Sequence, residues 1–229
     1  MLSAIIVAGG SSQRMGFDKL FAIIGGEPVI AHVIRAFDRA TSIGEIVVVA
    51  REQRHDEIRK IVSGAQFKKV RAIIPGGERR QDSVRAGLGR IDRDAEYVAV
   101  HDAARPLITP EQIERAFEQG RVHDAATLAQ PVNDTLKRAD ADLLVVGSVD
   151  RHRIYAMQTP QIFERKLIED AYRAVYAENA SVTDEVSAVE RLGHKIALVL
   201  NDDFNFKITY PHDLPVADFI LRERAKDRR

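Results

Sequence analysis

The 229-residue chain contains no cysteine. That absence removes disulfides, thiolate nucleophiles and cysteine-ligated zinc or iron–sulfur clusters, so any chemistry falls to Lys, Arg, Asp, Glu, His, Ser or Thr. The chain also lacks an excess of charge of either sign, with 34 Lys and Arg against 34 Asp and Glu. A generic nucleic-acid coat and a polybasic membrane anchor are both disfavoured, and any anion binding must be local. No apolar run approaches the roughly 20 residues that span a bilayer. Residues 1–7 have neither a basic leader nor the length of a signal core. A cytoplasmic protein without nucleic-acid or membrane partners is expected.

What is present suits a sizeable core: 45% of residues are hydrophobic and 30% are charged. Short apolar runs at 4–8, 46–50, 70–74, 97–100, 125–129 and 196–200 read as buried strands. Between the first two, Val29, Ile30, Val33, Ile34 and Phe37 form one apolar stripe on a helix that starts near Pro28. Further helices are expected after Asp56, after Gln81 and from Pro110, with Thr109 as N-cap. This alternation predicts a single α/β domain over residues 1–229, a Rossmann-like, doubly wound and mainly parallel sheet that binds ligands at the carboxyl ends of its strands. No further domain is expected, and residues 222–229 read as a fraying helix end.

Residues 131–159 break the rhythm. Asp140 and Asp142 flank a turn-like Ala141 between Thr135-Leu136-Lys137 and the apolar 143–146 run, which predicts a protruding β-hairpin arm. Left bare, such an arm invites aggregation, so a second subunit is expected to cover it, giving a homodimer. The plainer alternative is a hairpin folded back on its own domain.

After the first strand, Ala8-Gly9-Gly10-Ser11-Ser12-Gln13-Arg14 and then Lys19 have the make-up of a phosphate cradle, glycines for close backbone approach and two cations to neutralise charge. Neither the Walker pattern nor Gly-x-Gly-x-x-Gly occurs. The alternative is a Gly-Gly turn with two solvated bases. Past the fourth main strand, Asp102 could hold Mg²⁺ or a sugar hydroxyl and Arg105 a phosphate, or the two could simply pair with each other. His101 reads as a packing residue.

In order, His101-Asp102-Ala103-Ala104-Arg105-Pro106, the segment 131–138, Val149-Asp150-Arg151, Gln158-Thr159-Pro160-Gln161 and Thr183-Asp184-Glu185 resemble the 2-C-methyl-D-erythritol 4-phosphate cytidylyltransferase family over nearly the whole chain. The resemblance implies the nucleotide-diphospho-sugar transferase type of fold and a place in isoprenoid biosynthesis by the non-mevalonate route. It implies Ala8, Gly9, Gly77 and Ser83 around the cytidine, Arg14 and Lys19 at the triphosphate, and Asp102 at the ribose and the metal. It places Thr135, Arg151 and Lys207 about the sugar phosphate and the reacting phosphorus, with Arg105, Thr159 and Thr183 close by. Arg14, Lys19, Arg151 and Lys207 would be catalytic, Mg²⁺ would accompany CTP, and Thr135 or Arg151 would come from the other subunit.

The five-residue step from Arg14 to Lys19 is two shorter than the family's usual spacing and is similar to molybdenum-cofactor nucleotidyltransferases, while Phe204 stands where an acidic residue often precedes the lysine. Ribitol-5-phosphate cytidylyltransferases are similar across the same motifs. A molybdenum-cofactor enzyme or a catalytically silent nucleotide-binding protein of the same fold are the remaining alternatives.

Overall fold

Runs of β-branched and small apolar residues form the strands, and amphipathic stretches between them form the helices that cover both sheet faces. In a computed structural model, residues 1–10 and 13–226 are described. Ser11 and Ser12 of the glycine loop and residues 227–229 of the basic tail lie outside the described residues. The order is β1 (Leu2–Ala8), β2 (Ile23–Ile24), β3 (Glu27–Pro28), α1 (Val29–Arg39), β4 (Ile43–Ala50), α2 (His55–Gly64), β5 (Val70–Pro75), α3 (Arg80–Leu88) and β6 (Tyr97–Asp102). There follow α4 (Pro110–His123), β7 (Ala125–Pro131), β8 (Leu136–Ala139), β9 (Val145–Val149), β10 (Tyr155–Glu164), α5 (Arg165–Ala177), α6 (Glu185–Glu190), β11 (Ala197–Leu200) and α7 (Asp213–Lys226).

Seven strands make one sheet in the order β11-β7-β10-β6-β1-β4-β5. β1 pairs in parallel with β4 and β6, β4 with β5, and β7 with β11. The chain winds outward from β1 to β5 and then returns to β6, so the carboxyl ends of β1 and β6 border the crevice where such sheets bind ligands. Strand alternation sorts the two cores. Leu2, Ala4 and Ile6 of β1 pack with α1, α2, α4 and α7, whereas Ile5 faces α3, α5 and α6. Helix α1 buries Val29, Ile30, Val33, Ile34 and Phe37, the stripe expected from its sequence. At α4, the Thr109 hydroxyl accepts from Gln112 N while the Gln112 side chain accepts from Thr109 N, a capping box with Pro110 in the first turn.

Helix α1 starts at Val29, next to Pro28, as expected. One expectation needs correction: the arm is shorter than 131–159, because residues 155–159 belong to β10, a strand inserted antiparallel between β6 and β7. Gln158, Thr159 and Gln161 interrupt its apolar character, yet all three are buried, since a strand next to a polar site can bury polar groups that find partners there. The remaining arm is the β8–β9 hairpin, in which the Asp140 carboxylate accepts from the N–H groups of Asp142 and Leu144 at the turn. It does not fold back: Leu143, Leu144, Val145 and Val146 are 60–85% exposed.

Candidate active site

The glycine loop is held from behind by arginines that follow β4. Arg54, itself buried, donates to the carbonyls of Ala8 and Gly10 and pairs with Asp18, while Arg51 Nε donates to Gly9 O at 3.0 Å. The C=O and N–H of a trans peptide point opposite ways, so the N–H groups of Gly9 and Gly10 face away from these cations. The second glycine loop, after β5, must approach α3 closely. A Cβ on Gly77 would lie 2.3 Å from Asp82 Cβ, and one on Gly76 would lie 2.7 Å from Ser83 Oγ. Ser83 Oγ accepts from Gly77 N at 3.2 Å and so ties that loop to the helix.

Between the loops lies a cleft of about 360 Å³, lined among others by Ala8, Gly9, Lys19, Gly77, Ser83, Asp102 and Lys207. These seven sequence-predicted residues come from six separate segments. Lys19, on the turn Lys19–Phe21, donates from Nζ to Ile208 O at 2.6 Å. Burial, and then the charges of Lys207 and Arg14, hold its ammonium below the usual lysine value. Such a group gains on meeting an anion, because the anion relieves both penalties. Arg14 is exposed beside it, its guanidinium 5.4 Å from the centre of the Tyr210 ring.

Asp102 closes β6 at the floor of the cleft. Its Oδ1 accepts from Arg80 Nε at 3.0 Å and its Oδ2 from Lys207 Nζ at 2.8 Å. Burial alone would raise this carboxyl, but Arg80 and Lys207, followed by Arg105, hold it well below the usual carboxylate range. Its backbone N–H donates to Thr159 Oγ1 at 3.1 Å. His101 is fully buried against Phe37, and burial pushes its imidazole down to about 3. Nε2 lies 3.3 Å from the Arg105 carbonyl, which can only accept, so Nε2 carries the proton and Nδ1 accepts from the Thr159 hydroxyl at 3.0 Å. His101 is the packing residue that the sequence suggested.

Other expected residues lie apart from the cleft lining. Arg105 is largely buried, with NH1 and NH2 donating to the carbonyls of Asn205 and Met157, and its Nε stands 4.0 Å from Asp102 Oδ2. In this arrangement it braces the floor. Thr159 is likewise buried and orients Asp102 and His101. Thr183 is exposed, 3.4 Å from Ser187 Oγ, beside the Asp184 cap of α6. Thr135 and Arg151 sit exposed at the roots of the arm, where Arg151 donates to Asn133 O.

The sequence reading missed Arg80, Arg54 and Arg51, and it held Glu185 only as part of the Thr183-Asp184-Glu185 motif, without a role. Arg51 and Arg54 follow a strand end, where bases are common on the surface, and only the fold aims them at carbonyls. The adjacent Arg79 and Arg80 look alike in sequence; Arg79 turns out to Asp82 and Arg80 turns in to Asp102.

Among the described residues no three His, Asp or Glu side chains cluster as metal ligands. Mg²⁺ commonly uses only one or two carboxylates and completes its shell with water and substrate phosphate, so Asp102 suits that partial role. Asp202 and Asp203 pair with Arg115 and Arg224 and are not part of the cleft lining.

Comparison with known proteins gives the family of the chain. Residues 2–223 match the profile of the family described as IspD, 2-C-methyl-D-erythritol 4-phosphate cytidylyltransferase. The enzyme of that name from Caldanaerobacter subterraneus is 41% identical over 225 residues, covering 97% of this chain and 99% of its own. That from Halalkalibacterium halodurans is 38% identical over 226 residues, 98% of either chain. The crystal structure of 4-diphosphocytidyl-2C-methyl-D-erythritol synthase from Anaerococcus prevotii superposes with a TM-score of 0.85 at 31% identity, covering 96% of both chains. With a family profile that spans nearly the whole chain, and relatives of one name that match it almost end to end, the chain belongs to the 2-C-methyl-D-erythritol 4-phosphate cytidylyltransferase family, a family of nucleotidyltransferases.

Proposed function

We propose that the protein joins CTP and 2-C-methyl-D-erythritol 4-phosphate, giving the CDP-methylerythritol product and pyrophosphate, in isoprenoid precursor synthesis. The observation that carries the reading is the convergence of Lys19 and Lys207 on one cleft between two glycine loops, with Asp102 at its floor. An oxygen of the acceptor phosphate attacks the α-phosphorus of CTP; the new P–O bond forms as the bond to the bridging oxygen of pyrophosphate breaks. The acceptor is a dianion near neutral pH, so no base is needed. The task is to bring two anions together and to spread charge at phosphorus. Ala8, Gly9, Gly77 and Ser83, all small and all lining the cleft, take the cytosine in this reading. Lys19 and Arg14 take the triphosphate, and Lys207 exchanges Asp102 for phosphate oxygen. Mg²⁺ held at Asp102 with CTP would supply further charge neutralisation.

The arm bears on the acceptor side. In this reading two arms clasp around a two-fold axis, covering Leu143 to Val146 and bringing Thr135 and Arg151 to the partner's cleft. Charged substrates that do not cross membranes unaided fit a cytoplasmic location, and no described helix is long and apolar enough to span a membrane. Pyrophosphate release from each of the four nucleoside triphosphates, against a panel of polyol phosphates, tests the reading. Turnover with CTP and methylerythritol phosphate is expected. Preference for ribitol 5-phosphate would change the acceptor, and equal use of GTP would move the reading to molybdenum-cofactor chemistry.

A further inference from the structure

Arg80, the first residue of α3, has all three guanidinium nitrogens engaged. Nε donates to Asp102 Oδ1, while NH1 and NH2 donate to Glu185 Oε1 and Oε2 at 2.7 and 2.9 Å. Glu185, the first residue of α6, has a fully buried side chain. It also accepts from the Tyr172 hydroxyl at 2.9 Å, and its backbone N–H is held by Gln161 Oε1 of β10. A fork seated on a rigid base therefore presents one fixed edge to the aspartate.

Glu185 is sealed from the cleft and can act on it only through Arg80. For folding alone, a buried ion pair is often no better than apolar residues of similar volume. What this pair adds is orientation, because a planar guanidinium gripped at one end by two carboxylate oxygens cannot turn at the other. Lys207, the other partner of Asp102, has a flexible stem and a side chain 41% exposed, whereas that of Arg80 is 24% exposed and triply bonded. We infer that Arg80, clamped by Glu185 and Tyr172, is a positioning residue that keeps the Asp102 carboxylate in its working orientation while Lys207 turns to substrate phosphate.

This inference rests on the proposed function, so the wild-type acceptor panel comes first. The variant series is then run with whichever polyol phosphate is active, which keeps failure of the functional reading separate from failure of the positioning role. Arg80→Lys keeps the charge and loses the fork. It is expected to lower kcat by about 30-fold, in the range that small misplacements of reacting groups produce, with KM for CTP within about threefold of wild type. Glu185→Gln should lower kcat about tenfold, and Tyr172→Phe, which preserves every charge, about twofold to threefold. If Arg80 works through Asp102, adding Arg80→Lys to Asp102→Asn should slow the enzyme no further. Should Arg80→Lys not fold, Glu185→Gln alone and in combination with Asp102→Asn decides the matter. Near-wild-type kcat in the folded variants, losses confined to KM, or multiplicative losses with Asp102→Asn would overturn the inference.

Discussion

The floor of the cleft and the arm are built on opposite terms. Around Asp102, the side chains of His101, Thr159, Arg80 and Glu185 are buried or partly buried and bonded to one another, drawing together β6, β10, α3 and α6. The arm is two short strands that pair only with each other, and four consecutive apolar residues at its outer part face solvent. The contrast teaches where completeness lies. The cleft floor is finished within one chain, since its polar groups already find partners in one another. The arm exposes the kind of apolar surface that a soluble monomer rarely shows, with Thr135 and Arg151 exposed at its roots.

The largest effects should come from the cleft. Lys19→Ala and Lys207→Ala are each expected to reduce turnover on the order of a hundredfold to a thousandfold, with thermal melts near wild type, because both line the cleft rather than the apolar core. A melt lowered in step with activity would instead make either lysine part of the fold. On the arm side the expected signature is the reverse. Val145→Asp should shift the light-scattering mass from dimer to monomer and remove most activity without touching the cleft. Mixing Lys19→Ala with Arg151→Ala, after subunit exchange, should recover about a quarter of wild-type activity if random pairing makes half the dimers mixed, each with one intact site. No recovery would leave the arm structural only. Base choice sharpens the same division, since it belongs to the cleft alone: CTP should exceed GTP by tenfold or more in kcat/KM, in the monomeric variant as well as in the dimer.

Smaller effects concern stability. His101 is neutral when folded, with its imidazole pushed down to about 3, whereas the unfolded chain takes up a proton near 6.5. Its contribution is therefore present above pH 6.5 and is lost as pH falls toward 3, by up to about 1.4 kcal/mol per unit. Denaturant midpoints followed against pH should show this slope, and His101→Gln should flatten it. Thr159→Val should cost about 1–2 kcal/mol, the loss of one buried acceptor and one donor.

The sheet was legible because β1, β4, β6 and β7 are apolar almost throughout, and α1 and α4 carry a clear stripe and cap. β10 was not legible, since Gln158, Thr159 and Gln161 look like loop residues until the groups that satisfy them are in place. Much of the cleft could be anticipated from its glycines and lysines, which serve by being small or charged at a strand end. The bracing residues were harder. Arg80, Arg54 and Arg105 are chemically alike in sequence, and their separate duties come from partners 22 to 105 positions away or from nearby backbone that only folding aligns.

β7 and β10 are antiparallel neighbours, with Pro131 facing Tyr155 and Val132 N bonded to Ile154 O at 3.0 Å. The arm is thus spliced into what would otherwise be an ordinary hairpin connection, and a short turn could close the gap without changing the register of either strand. Its length and tip can be exchanged as a cassette while Thr159 keeps its grip on Asp102, so the arm and the cleft floor are free to diversify separately on this framework.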